Sequence, residues 1–330
     1  MNKTGVLFMP KYSIHIIFAC LLLAILLTGC CTNCLLARSE LAGQKDLDQA
    51  DPRATELWAG DIDSVITSEY GGNLQSYKVD EVSPLIQLPG YYNSDLFIYS
   101  DSGRRMDTKN PELYDSERKA TVKIDSLLSN PELKLQKIYR MNFDTGDIYI
   151  VKVITNVGTS SVDMSAIQQI TLLKGGYLFI PVNVASRYPN HYEITDASGK
   201  DIAGSLTDNV QKVANKIIYR VDDNSPEITI SSDSTEGWFG YFYKDTLLLI
   251  KFSPFYTNLE KKDKIVLSAH ITKDAVICTF GETSRNLSEK GSCLKIYEKI
   301  ALVELKDEIN NFEDIENALK YLKVSLIIRR

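Results

Sequence analysis

Gln169 lies in a β-rich run, where its amide can both donate and accept hydrogen bonds, as contact with sugar hydroxyls requires. In the same place it can be a polar residue on the wetter face of a sheet. Trp238 follows a glycine and offers either an apolar platform for the C–H face of a sugar ring or an ordinary core tryptophan. Lys251 alternates with Ile250 and Phe252 in an otherwise apolar run. An ammonium there is costly unless paired, so it points into a polar cleft or reaches out at an edge. Arg187 and His191 stand in a Tyr- and Asn-rich loop, which either covers the mouth of a cleft or is plain surface. His270 sits mid-strand and reads as a satisfied structural histidine. Glu298 and Glu304 read as alternation partners on the solvent face.

The chain has three histidines, His15, His191 and His270, which argues against histidine-rich metal chemistry. No phosphate-cradling G-x-x-x-x-G-K-[ST], no G-x-S-x-G elbow and no zinc-type spacing is present. We therefore assign no metal, no cofactor and no catalytic set.

Six cysteines are unevenly placed. Lys3 and Lys11 precede a nearly uncharged run from Ile14 to Leu27, as an export signal requires. That run is shorter than the about 20 residues of a membrane span. It ends in Leu27-Thr28-Gly29-Cys30, which resembles the lipobox of bacterial lipoproteins. The resemblance implies cleavage before Cys30 and diacylation of its thiol; an uncleaved N-terminal anchor is the other reading. Either way the bulk of the chain is expected outside the cytoplasm, tethered in the cell envelope. Cys31 stands where an inner-membrane retention aspartate would, so in a Gram-negative cell the outer membrane is the expected destination. Cys278 and Cys293 flank a loop between two strand-like runs and are expected to pair in an oxidising compartment.

Removing residues 1–29 from 330 leaves 301, and the net charge of −6 becomes −8 because Lys3 and Lys11 depart. The hydrophobic share of 44% and the charged share of 24% suit one soluble domain with a sizeable core. The sequence holds no basic run, which argues against nucleic acid or an anionic membrane surface as the main partner. Protein partners are not readable.

The elements that must position these residues are mostly strands. Residues 30–54 are polar and small and read as a tether, although Arg38 to Gln49 could form a short helix. From residue 55 to 305 short β-rich runs alternate with turns such as Gly71-Gly72, Asp144-Thr-Gly146, Asn156-Val-Gly158, Gly175-Gly176 and Ser198-Gly199. Within residues 306–330, Asn311 is a helix cap followed by acids. Phe312, Ile315, Leu319, Leu322 and Leu326 then recur at helical spacing. This helix is expected to lay its stripe on the outside of a sandwich.

Four segments, in order, resemble the galactose-mutarotase-like superfamily, and most closely its branch related to aldose epimerases. The first is Ile66-Thr-Ser-Glu-Tyr-Gly-Gly-Asn-Leu-Gln-Ser-Tyr-Lys, similar to an opening hairpin with a Gly-Gly turn. The second is Val153-Ile-Thr-Asn-Val-Gly-Thr-Ser-Ser-Val-Asp-Met. The third is Ala166-Ile-Gln-Gln-Ile-Thr-Leu-Leu-Lys-Gly-Gly-Tyr-Leu-Phe-Ile-Pro, and the fourth Glu236-Gly-Trp-Phe-Gly-Tyr-Phe-Tyr-Lys-Asp-Thr-Leu-Leu-Leu-Ile-Lys-Phe. The resemblance implies a mainly β, antiparallel β-supersandwich with a C-terminal helix. Aldose mutarotases use a histidine acid and a glutamate base to open the sugar ring. Where that histidine would fall, this chain has Ile167-Gln168-Gln169, and Asn73 replaces the family's arginine after the Gly-Gly turn. The expectation is therefore an envelope-anchored lipoprotein that binds a carbohydrate or glycan fragment without catalysis, through Gln169, Trp238, Lys251, Arg187 and His191. The alternatives are an aldose epimerase-like enzyme, and an assembly or scaffolding factor resembling the periplasmic domain of the membrane-protein insertase.

Overall fold

A computed structural model describes residues 42–46, 54–68, 72–86, 95–100, 102–116, 121–130, 132–206, 208–213, 215–234, 236–244, 247–252, 267–305, 309 and 311–322. Cys30 and the whole of residues 1–29 lie outside them. In chain order the first strands are β1 (Ala42–Asp46), β2 (Ala54–Ala59), β3 (Ile62–Thr67), β4 (Asn73–Val79), β5 (Asp95–Ser100), β6 (Arg105–Met106) and β7 (Thr108–Ser116). They are followed by β8 (Thr121–Leu128), β9 (Leu133–Met141), β10 (Ile148–Asn156), β11 (Val162–Leu172), β12 (Gly176–Pro181), β13 (Glu193–Asp196) and β14 (Val210–Val213). The last are β15 (Lys216–Val221), β16 (Ile228–Ser232), β17 (Trp238–Tyr243), β18 (Leu247–Phe252), β19 (Leu267–Ile271), β20 (Val276–Leu287) and β21 (Cys293–Glu304), before the helix α1 (Phe312–Leu322).

All registered pairings are antiparallel. They build a four-stranded sheet β1-β2-β3-β4, a ten-stranded sheet β14-β15-β12-β17-β18-β21-β10-β9-β8-β7 and a seven-stranded sheet β13-β16-β19-β20-β11-β5-β6. Side chains in extended backbone alternate between faces, and β9 and β10 bury every second residue accordingly. One large apolar cluster joins all three sheets, with Leu57 and Tyr77 from the first, Tyr139, Ile150 and Phe239 from the second, and Ile170, Ala269 and Phe280 from the third. A second cluster around Leu135, Ile154, Met164 and Leu287 continues the interior toward the other end.

β12 and β17 depart from alternation and are buried at every position. The reason is α1. Its Phe312 and Ile315 pack with Ile309 on Tyr177, Phe179, Trp238 and Phe242, which leave the ten-stranded sheet on its outer side. Tyr177 and Phe312 meet edge to face at 5.7 Å. Asn311 caps the helix as expected: its Oδ1 accepts the backbone N–H of Glu313 at 2.8 Å and of Asp314 at 3.1 Å. Gly240 gives the outer layer its closeness, since a Cβ there would sit 1.8 Å from the Phe179 ring. The Gly-Gly turn between β3 and β4 has φ +102° at Gly72, a conformation open chiefly to glycine.

Two expectations are corrected. Ala42–Asp46, assigned to the tether, is an edge strand paired with β2 from Ala42↔Ala59 to Asp46↔Thr55. Its sequence, Ala-Gly-Gln-Lys-Asp, has no apolar period, because an edge strand can be held by backbone hydrogen bonds alone. The bridge between Cys278 and Cys293 is not formed. β20 is twelve residues long, so Cys278, near its start, is nine residues from the turn that leads to Cys293. That is roughly 30 Å along the strand, whereas a disulfide needs Cα atoms within about 7 Å. Cys278 is also buried in the seven-stranded sheet, while Cys293 is exposed at the start of β21 in the other.

Candidate functional site

Three adjacent strands of the ten-stranded sheet, β15, β12 and β17, end at the same place, and a concavity of about 300 Å³ opens there. It is lined by Val182, Asn183, Val184, Ala185, Asn215, Ser234 and Glu236. Val182 to Ala185 follow β12, Asn215 precedes β15, and Ser234 and Glu236 precede β17, so the sheet register itself brings them together. Val184 is 82% exposed, an apolar side chain standing in the open at the rim.

The polar groups of this concavity form a closed ring. Glu236 accepts from Asn215 Nδ2 at 3.0 Å and from Trp238 Nε1 at 2.7 Å. Asn215 Oδ1 accepts from Lys216 Nζ at 2.9 Å, and that ammonium lies 5.9 Å from the centre of the Trp238 ring. Each group thereby fixes the next, so the carboxylate is oriented before anything binds. Glu236 is exposed. A carboxylate has about four acceptor positions, which leaves capacity beyond these two hydrogen bonds.

A second layer holds the loop. His191 has φ +68°, and its Nδ1–H donates to the Asn183 carbonyl at 3.0 Å. With the proton on Nδ1, the neutral ring has Nε2 as its acceptor. Asn183 donates to the Asp233 carbonyl at 3.5 Å, and Asp233 Oδ2 accepts the Arg187 backbone N–H at 2.8 Å. Asp233 Oδ1 is buried and has no hydrogen-bond partner among the described residues. The Arg187 guanidinium turns onto Tyr188, donating to its hydroxyl at 2.9 Å with its carbon 4.9 Å from the ring centre. The hydrogen bond to Tyr188 raises the Arg187 pKa, so this side chain stays a cation.

Three of the five ligand residues expected from the sequence therefore belong to this neighbourhood. Trp238 serves as an N–H donor from a buried position, with its ring edge to face with Phe179 at 5.8 Å, and not as an open platform. Arg187 and His191 shape the loop. Gln169 is elsewhere, in a cross-strand row on the outer face of the seven-stranded sheet: Glu193, Ser231, Ser268, Thr279, Gln169 and Asp95. Its amide donates to Thr171 Oγ1 at 3.4 Å. His270 lies on that same face, hydrogen-bonded to Thr229 at 3.0 Å. Lys251 takes the register position between Phe239 and Ile300, two strands from β12; its side chain lies outside what is described. Glu236, Asn215 and Asn183 were missed as site residues because they are loop residues far apart in sequence. The one available signal was the acidic turn Asp233-Ser-Thr-Glu236 placed directly before Gly237-Trp238.

No protein-family model matches the chain, and no curated protein matches it in sequence. Solved structures do resemble it. A galactose mutarotase-like protein from Lactobacillus casei superposes with a TM-score of 0.51 over 75% of this chain and 99% of its own, at 12% identity. A TPR-domain containing protein from Parabacteroides distasonis gives 0.52 over 79% of this chain and 48% of its own, at 10% identity. A galactose mutarotase related enzyme from Lactobacillus acidophilus gives 0.49 over 78% and 99%, at 9% identity. The fold is the mainly β, antiparallel galactose mutarotase-like sandwich with a short C-terminal helix.

Proposed function

We propose that this is an envelope-anchored lipoprotein, acylated at Cys30, which binds a carbohydrate or glycan fragment at the concavity below β12, β15 and β17 without turning it over. The observation that carries the reading is the ring of Lys216, Asn215, Glu236 and Trp238 beside the open Val184. An oriented carboxylate and two amides suit a ligand rich in hydroxyls, and the apolar rim suits the C–H face of a sugar ring. The neighbours named for galactose mutarotase support a sugar-related role at the level of fold only. The anchor rests on the lipobox-like Leu27 to Cys30.

Thermal shift over mono- and oligosaccharides tests the binding. Stabilisation by at least one sugar is expected in the wild type and is lost in Glu236→Gln, whose exposed position spares the fold. Silence of the wild type across the whole panel would remove the carbohydrate reading. Polarimetry on fresh glucose and galactose should show the rate of buffer alone, and an accelerated rate would replace binding by epimerisation. Intact mass of the protein from membranes should carry the acyl chains and lose them in Cys30→Ala.

A further inference from the structure

On the outer face of the ten-stranded sheet α1 packs over β12, β15 and β17. Farther along that face, alternation in the consecutive strands β8, β9 and β10 and in the distant β21 brings cations and tyrosines to one side. β21 contributes Lys295, Tyr297 and Lys299 at every second position, and the register sets Lys299 beside Tyr149, and Tyr149 beside Arg140. Tyr297 neighbours Val151, which leads through Ile138 to Lys123. Lys134 belongs to the same face of β9. Tyr149 and Tyr297 are 39% and 36% exposed, and Lys295 and Arg140 are exposed.

Among the described side chains that β8, β9, β10 and β21 place on this face, five cations meet one carboxylate, Asp125, which lies 3.1 Å from both Lys123 and Lys134. Lys299 also reaches Asp147 at 2.7 Å. Among these described side chains a surplus of three positive charges remains, on a chain whose net charge is −6. Two half-exposed tyrosines sit within it, amphipathic rings of the kind that settle at the boundary between water and lipid.

We propose that this face docks on an anionic lipid bilayer and so sets the orientation of the tethered domain. This rests on the anchoring reading above, in which the twelve steps from Cys30 to Ala42 span at most about 40 Å. Two features favour lipid headgroups over a soluble polyanion. A face built across four strands presents its cations over a broad patch, as a bilayer does its phosphates, and the tyrosines add an apolar component that a polyphosphate chain does not use. Three surplus charges near a negative surface favour it over a neutral one by a factor on the order of a hundred.

The test uses the full chain, extracted from membranes and reconstituted into vesicles of phosphatidylcholine alone or with phosphatidylglycerol. Amine labelling of Lys123, Lys134, Lys295 and Lys299, read by mass spectrometry against Lys200 and Lys273, should fall at least about fivefold with the anionic lipid. High salt should restore it. Arg140→Glu combined with Lys295→Glu should abolish the protection at Lys123 and Lys134 while leaving the melting temperature unchanged. Equal labelling in both vesicles overturns the proposal, as does equal protection by soluble polyphosphate without vesicles. Flotation separates the two readings. A chain that floats with neutral vesicles but shows no lipid-dependent protection keeps its anchor and loses the docking face. One that floats only with anionic vesicles loses the anchor and keeps the face.

Discussion

Between them β9, β10 and β21 place lysine on both faces of the ten-stranded sheet, and each face surrounds it differently. On the inner face Lys137 and Lys152 are fully buried between the two apolar clusters. Lys152 donates to Glu298, itself buried, and Lys137 donates to the Gly72 carbonyl at 2.6 Å, where the Tyr139 hydroxyl also donates at 3.2 Å. On the outer face Lys134, Lys295 and Lys299 stand partly or wholly in water; Lys134 shares the partly buried Asp125 with Lys123, and Lys299 pairs with Asp147. One residue type in the same strands thus becomes an internal tie or a surface charge by a shift of one position. An interior ammonium must have dedicated acceptors, whereas an exposed one remains available to a partner.

The sharpest way to break this comparison is Glu298→Ala. It leaves the Lys152 ammonium buried without its carboxylate, and urea unfolding should show a loss of about 3–5 kcal/mol. Replacing Lys152 and Glu298 together by apolar residues of similar volume should recover most of that loss. A milder test addresses the part of the outer face under α1. Asn311→Ala removes the acceptor for two N–H groups of α1 and should cost about 1 kcal/mol in the same assay. Faster hydrogen exchange in α1 should accompany it.

The smallest effect belongs to the partly buried carboxylate of the outer face, Asp125. Burial pushes the Asp125 carboxyl up, but hydrogen bonds from Gln136, Lys134 and Lys123 outweigh it and hold the group below its usual range. A folded value below the unfolded one, about 3.9, means that its stabilisation is complete at neutral pH. It is lost as pH falls through the folded value. Asp125→Asn should therefore lower stability at pH 7 by under about 1 kcal/mol and flatten the decline in acid. A loss as large as that of Glu298→Ala would erase the distinction between the two faces.

Much of the fold was legible because it rests on local rules. Gly72, Asp144-Thr-Gly146 and Gly175 all fall between strands, and Asn311 caps a helix whose Phe312 and Ile315 face the sandwich. Glu298 was read as a solvent-face residue, and it is buried against Lys152. Alternation shows which residues share a face and not which face is inside. The site was legible only in part. Trp238, Arg187 and His191 were marked, but Glu236 and Asn215 are joined across 21 positions by strand register, which no local pattern reveals.

Sequence alone determined the antiparallel β character, the turns, the capped helix and the lipobox-like start, since each depends on neighbours within a few residues. Tertiary structure decided the rest. Which side of each strand is buried, whether cysteines fifteen residues apart can meet, and how lysines of separate strands gather on one face all depend on strand pairing and on how the sheets pack. Composition had shown no basic cluster, because alternation spreads such a face over four strands and only the assembled sheet collects it.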